Sequence, residues 1–280
     1  MKVLVQIICF FFAALFSAQQ NKYEEWYFNT KDSLRIYVKE SLSTSKDTVI
    51  VLHGGFGANH DYLLDATKGL EGRFHFVFYD QRGSLMSQPS APEKYLTFDK
   101  NVGDIETLMT ALNIKRAKFL CHSMGTLVGM EFLKQHPEMV KNMVLVGAIT
   151  PVAKSADDVF TKRQTEQVKF LMERKEVKDL LQPYEKKQNL SPREATRKWK
   201  IQFAAVNSYQ LNKSLQNFKG GMAYYNQRVA NAMPKTVNWN YDYRDAMNKN
   251  GKITIINGEY DFMDFGSTTL FGKYKELSFH

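Results

Sequence analysis

The sequence predicts an α/β fold: a mostly parallel central sheet with helices on both faces and an inserted helical cap. Three observations carry the prediction. Short β-branched and aromatic runs alternate with helical stripes from Leu34 to Val146, the order of a parallel sheet wrapped by helices. One of those runs, Thr48-Val49-Ile50-Val51-Leu52, is apolar on both faces, as a strand with no wet side must be. Two of the strands end in turns built from small residues, His53-Gly54-Gly55 and Cys121-His122-Ser123-Met124-Gly125.

Each element follows from its own pattern. Leu34-Arg35-Ile36-Tyr37-Val38 alternates with period two and reads as an edge strand with one solvated face. Thr48–Leu52 reads as a central parallel strand, and Phe74–Tyr79 as its successor. Val102, Ile105, Leu108, Met109 and Leu112 recur at helical spacing, so that segment buries one stripe. Ala117–Leu120 reads as a short strand, Thr126–Gln135 as a helix and Met143–Val146 as the next strand. The rhythm then stops. From 152 to 239 the chain is charge-rich and helical without a convincing strand, so it is taken as a cap inserted into a core of 19–151 and 240–280. Strand signal returns at Lys252–Ile256, and an amphipathic stretch, Ser267–Leu277, precedes His280.

The first 18 residues stand apart. Lys2 precedes an apolar run, Val3–Phe16, broken only by Gln6 and followed by Ser17 and Ala18. That order is a secretory signal with cleavage after Ala18, although Phe16 sits where a small residue is preferred. The expectation is a secreted or periplasmic protein with no stable membrane span, because the run falls short of the ~20 residues a spanning helix needs. Cleavage removes Cys9 and leaves Cys121 as the single cysteine, which excludes an internal disulfide. The net charge of +9 comes from scattered lysines and arginines, densest between Lys162 and Lys200 and interleaved there with glutamates. This describes solvated helix faces rather than a nucleic-acid footprint.

The chemistry centres on Ser123. A serine between a predicted strand and a predicted helix, flanked by small residues, fits a nucleophile elbow that lifts the hydroxyl above the sheet. Cys121 stands where a glycine is usual, so some strain is expected, and the buried thiol should act as a small apolar group. His122 is adjacent to the serine but points elsewhere in such a turn, and is read as structural. The glycines after the central strand can aim a backbone amide at a developing oxyanion, so Gly55 and Met124 are assigned as the oxyanion-hole amides. The plainer reading of those glycines is a tight turn needing positive φ. His53 is read as a brace for the loop.

His53-Gly54-Gly55-Phe56-Gly57, Asp80-Gln81-Arg82-Gly83-Ser84 and the serine elbow together resemble the proline iminopeptidase branch of the α/β-hydrolase superfamily. The resemblance covers Thr48 to Ala148 and resumes at Ile253 to Asp261. It implies an α/β-hydrolase fold with a helical cap, a Ser-Asp-His triad, and no metal or organic cofactor. It implies that Asp80 and Arg82 form a structural ion pair bracing loops near the site. It also places the orienting carboxylate on Asp261, after a strand-ending glycine, with Glu259 and Asp264 as rivals. The general base should follow the acid, and His280 is the one histidine beyond Asp261. The intervening residues hold a helix but not the further strand the resemblance implies, so a C-terminal strand and helix are expected to be missing. Either His280 is a displaced base or the sequence is truncated before the base.

Specificity departs from that family's pattern. Its members carry Trp and then Glu three and four residues after a cap tryptophan, the carboxylate binding a free amino terminus; here Trp199 is followed by Gln202 and Phe203. Glu173, Glu185 or Glu194 could substitute. The expectation is therefore hydrolysis of a small-molecule or short-peptide ester or amide, by an aminopeptidase or a carboxylesterase. The alternative is a non-catalytic binding protein of the same fold lacking a functional base.

Overall fold

A computed structural model of the chain describes residues 22–153, 159–208, 210–218, 220–250, 253–258, 261 and 278–279. The segment expected to be a signal, 1–18, the stretch Ser267–Leu277 and His280 lie outside the described residues.

Among the described residues, eight strands form one sheet in the order β1-β2-β4-β3-β5-β6-β7-β8. β1 (Tyr23–Asn29) pairs antiparallel with β2 (Arg35–Ser41), and β2 antiparallel with β4 (His75–Tyr79). All other pairings are parallel: β3 (Thr48–Leu52), β5 (Ala117–His122), β6 (Val140–Val146), β7 (Ile253–Ile256) and β8 (Ser278–Phe279). Two sequence expectations are corrected here. The strand expected at the edge, β2, lies between β1 and β4; β1, absent from the sequence reading, takes the edge with Glu24 and Glu25 exposed. A further strand does fit between Asp261 and His280, because Ser278 and Phe279 pair with Thr254 and Ile255.

Alternation along β3 builds two buried layers, since successive side chains point to opposite faces. Ile50 and Leu52 join the larger cluster, with α2 (Phe98–Ala111), α3 (Met124–Gln135) and α9 (Arg244–Asn250). Val49 and Val51 pack on the other face with Phe76, Phe78 and Leu63 of α1 (Asp61–Thr67). The predicted stripe of α2 is buried at Val102, Ile105, Leu108 and Met109, each worth roughly 1.5–3 kcal/mol when fully taken from water.

Between β6 and α9 the described residues form helices, short turns of 3-10 helix and one isolated bridge, Val152 with Asp242. α4 (Val159–Glu173), α5 (Lys175–Glu185), α6 (Pro192–Asn207) and α7 (Leu211–Asn217) share a small core of their own, with Val177, Ile201, Ala204, Ala205 and Leu211 buried together. α8 (Gln227–Ala232) returns to the main core through Val229 and Ala232.

Candidate active site

β5 runs between β3 and β6, so the turn at its carboxyl end opens at the middle of the sheet. There Ser123 adopts φ 50° and ψ −122°. A non-glycine residue in that region costs on the order of 1–3 kcal/mol, and local bonds hold it. The Ser123 amide donates to Val146 O at 2.9 Å, and the Thr126 amide and hydroxyl both donate back to Ser123 O, at 2.8 and 2.6 Å. α3 starts at Met124 directly behind the serine, which points the positive end of a helix dipole at its hydroxyl.

The tight packing explains the small neighbours. A Cβ on Gly125 would lie 2.5 Å from Leu52 O, so no other residue fits. Cys121 takes the place of the elbow's usual first glycine because α3 makes room for it: a Cβ on Gly129 would lie 2.7 Å from the Cys121 sulfur. The thiol is fully buried, and burial pushes its pKa up, away from thiolate chemistry.

The glycine loop after β3 lies against this elbow. A Cβ on Gly54 would be 2.8 Å from Ser123 Cβ, and Gly55 has φ +65°. His53 braces the loop, as its sequence position suggested. Its Nδ1–H donates to Gly54 O at 3.0 Å, while its Nε2 accepts from the Gln81 amide at 3.0 Å. Because carbonyl and N–H point oppositely across a trans peptide, pinning Gly54 O toward His53 turns the Gly55 amide the other way. Burial pushes His53 down to about 4, so it stays neutral at pH 7.

Two residues reach the site from elsewhere in the chain. The Tyr62 hydroxyl accepts from the Gly54 amide at 2.7 Å and sits 2.7 Å from His122 Nδ1. Its one proton goes to Nδ1, which assigns the His122 proton to Nε2. Burial pushes His122 down to about 4. Asp261 follows β7, its amide bonded to Gly258 O at 2.9 Å. A Cβ on Gly147, which has φ +56°, would lie 3.1 Å from Asp261 Oδ2 and 3.9 Å from His122 Nε2. Both side chains thus converge on the bare backbone at the end of β6.

Ser123, Gly54, Gly55, His122 and Asp261 border one cavity of about 650 Å³. Its outer wall comes from the cap. Trp199, Phe203 and Phe218 meet there with ring centroids 5.3–6.0 Å apart, Phe218 edge-on to the other two, and Tyr225 stacks behind Trp199 at 5.1 Å. Neutral groups, Asn207, Ser208, Ser214 and Asn217, complete that wall. Among the described residues, Asp261 is the only Asp, Glu, Lys or Arg on the lining. Glu173, Glu185 and Glu194 do not border this cavity: Glu173 and Glu185 are exposed, and Glu194 caps α6 through Ser191 while pairing with Lys187.

The expected Asp80–Arg82 ion pair is also corrected, since each pairs with a different partner. Asp80 accepts from His60 Nδ1 at 2.8 Å and from the amides of His60 and Met86. Burial alone would raise its pKa, but those donors hold it below the usual carboxylate range. Arg82 grips Asp104 with two bonds, at 2.6 and 2.7 Å, and Asp32 with two at 2.9 Å, and it adds Tyr95 O at 3.1 Å. All five guanidinium protons are thereby used. Asn226 was likewise not anticipated. Its amide donates to Gly57 O at 2.8 Å, and its side chain donates to Gly83 O and Pro89 O at 2.8 and 2.9 Å, tying the cap's return to the glycine loop.

The family model for the alpha/beta hydrolase fold matches residues 47–265, more than half of the chain. The chain belongs to the α/β-hydrolase family. Among curated relatives, the putative carbamate hydrolase RutD of Enterobacter cloacae is 33% identical over 98 residues, 35% of this chain and 36% of that protein. The proline iminopeptidase of Flavobacterium johnsoniae is 27% identical over 153 residues, 52% of this chain and 50% of that protein. The matches thus span between about a third and a half of those relatives. Among solved structures, a proline iminopeptidase-related protein of Thermus thermophilus superposes with TM-score 0.65 at 19% identity, covering 92% of this chain and 88% of that one. An esterase from Exiguobacterium antarcticum superposes with TM-score 0.56 at 19% identity, covering 91% and 89%.

In an α/β-hydrolase the nucleophile, acid and histidine follow one another along the chain. Ser123 and Asp261 keep that order and border the same cavity; His280, like Glu259 and Asp264, lies outside the described residues. Among the described residues, no helix of this α/β-hydrolase is long and apolar enough to cross a membrane, and no cluster of His, Cys, Asp and Glu is arranged to hold a metal.

Proposed function

We propose that this protein is a serine hydrolase that cleaves a small, uncharged ester or amide through an acyl-enzyme on Ser123. One observation carries the reading: a serine held at positive φ ahead of a helix, on the lining of an apolar cavity it shares with Gly54, Gly55 and Asp261. In the proposed reaction Ser123 Oγ attacks the carbonyl carbon as its proton passes to a histidine. The oxyanion rests on the amides of Gly55 and Met124, and collapse expels the alcohol or amine with that proton. Water then repeats the sequence and frees the acid. Asp261 orients the base, for which His280 is the candidate.

The wall argues for neutral substrates. Trp199, Phe203 and Phe218 offer an apolar, aromatic face, and no carboxylate from the described cap residues borders the cavity to receive an ammonium. A carboxylesterase or neutral amidase therefore fits better than a peptidase that must hold a free amine. The relative named a proline iminopeptidase keeps aminopeptidase activity as the second reading.

Fluorophosphonate labelling tests the proposal. Labelling of the full chain that disappears in Ser123→Ala supports it, whereas a folded protein that stays unlabelled would point to a non-catalytic binder. Aryl esters against prolyl aryl-amides with free and acylated amines then separate the readings, since only an aminopeptidase demands the free amine. Loss of turnover in His280→Ala would support that histidine as the base; unchanged turnover would exclude it.

A further inference from the structure

We propose that Tyr62 is a positioning residue whose hydroxyl locks the glycine loop to the nucleophile elbow, setting the Gly55 and Met124 amides on a common point. The inference rests on the serine-hydrolase reading above.

The two proposed oxyanion donors belong to segments far apart in sequence, one after β3 and one after β5. Sheet pairing sets β3 beside β5 as far as Leu52 and Cys121, and beyond that register the placement of the two turns comes from contacts across the site. Backbone contact alone brings the segments together, since Gly54 lies against Ser123 with no space for a side chain. It does not fix how the loop is rotated about that contact. Tyr62 does, because its single oxygen touches both sides at 2.7 Å: the Gly54 amide, one residue before Gly55, and His122 Nδ1, two residues before Met124. The rings of Tyr62 and His122 also meet edge to face, 5.3 Å between centroids, which limits sliding of the bridge. With Gly54 O held by His53 Nδ1, both polar groups of Gly54 are tied and the plane carrying the Gly55 N–H is fixed.

Preorganised donors work through their geometry when charge develops, whereas ground-state binding hardly senses them. Removing the hydroxyl should therefore slow the chemical step and leave substrate affinity in place. The test compares Tyr62→Phe, His122→Leu and His122→Asn with the wild-type full chain, using fluorophosphonate acylation rates and steady-state hydrolysis of an aryl ester. Rates are expressed per folded molecule, from the circular-dichroism melt. Tyr62→Phe should lower acylation and kcat on the order of 10- to 100-fold, less than loss of a whole donor, with KM within about twofold. His122→Leu should match it. His122→Asn, whose amide oxygen can still accept the hydroxyl proton, should recover part of the loss. Acylation of Tyr62→Phe at the wild-type rate overturns the inference while leaving Ser123 as nucleophile. Equal losses in His122→Leu and His122→Asn also overturn it, and those two variants serve if Tyr62→Phe fails to fold. A wild-type chain that is never labelled overturns both this inference and the reading beneath it.

Discussion

Gly129→Ala, placed on α3 behind the elbow, should be tolerated or not according to the residue at position 121. The added methyl would come 2.7 Å from the Cys121 sulfur, far inside van der Waals contact, while Leu52 Cδ1 and Met143 Cε would stand at an ordinary 3.5 Å. Of these three atoms only the sulfur is an obstacle, and Cys121, fully buried on β5, cannot turn it out into solvent. Overpacking of this kind costs about 1–3 kcal/mol, against which alanine returns about 0.5–1 kcal/mol over glycine in a helix. Gly129→Ala should therefore destabilise the wild type by up to about 2.5 kcal/mol. In a Cys121→Gly background the clash is gone and only the helix gain is left, so the same change should be neutral or stabilising. A double-mutant cycle by urea denaturation should give a coupling of about 1–3 kcal/mol. Equal destabilisation by Gly129→Ala in both backgrounds would refute the reasoning, because the cost would then arise somewhere other than the sulfur.

Two further outcomes follow from the same geometry. Ser123→Gly should raise the thermal midpoint while abolishing fluorophosphonate labelling, since glycine accepts φ 50° and ψ −122° without the strain of about 1–3 kcal/mol that serine bears; an unchanged or lower midpoint would show that the elbow is not strained. His53 and His122 both titrate near 4 in the folded chain, against 6.5 for an ordinary ring. Their stabilising neutrality is fully present above about pH 6.5 and is lost as pH falls toward 4, on the order of 3 kcal/mol per ring. Urea denaturation between pH 7.5 and 4.5 should show that decline. It should be shallower in His122→Asn by about one proton's worth of slope, and an identical slope would contradict a neutral buried ring.

What the sequence made legible was whatever is written locally. Val49 to Leu52 could be read as a two-faced strand because burial on both sides leaves an unbroken apolar run. The turn at Ser123 could be read because its small residues, strand and helix are contiguous, and Ser123 does lie between β5 and α3. β1 escaped because an edge strand needs only a weak pattern: Phe28 is its one buried residue. The polar partners escaped for another reason. Tyr62 is 60 positions from His122, and Arg82 is 50 from Asp32, and no periodicity announces which distant donor will find which acceptor. For the same reason the Asp80–Arg82 pair that the family resemblance implied did not form, each being taken by a group more distant in sequence.

The cap wall and the glycine loop are one mechanical piece. Asn59 donates to the carbonyls of Gly221 and Tyr224, and Gly57 O receives the Asn226 amide, so the strip carrying Tyr225 is stitched to the loop along its length. Tyr225 in turn lies flat against Trp199. A guest that shifts the indole presses on the same backbone that presents the Gly55 N–H. Enlarging or shrinking this enclosure by mutation would accordingly retune turnover along with selectivity, and the two traits would drift together rather than one at a time.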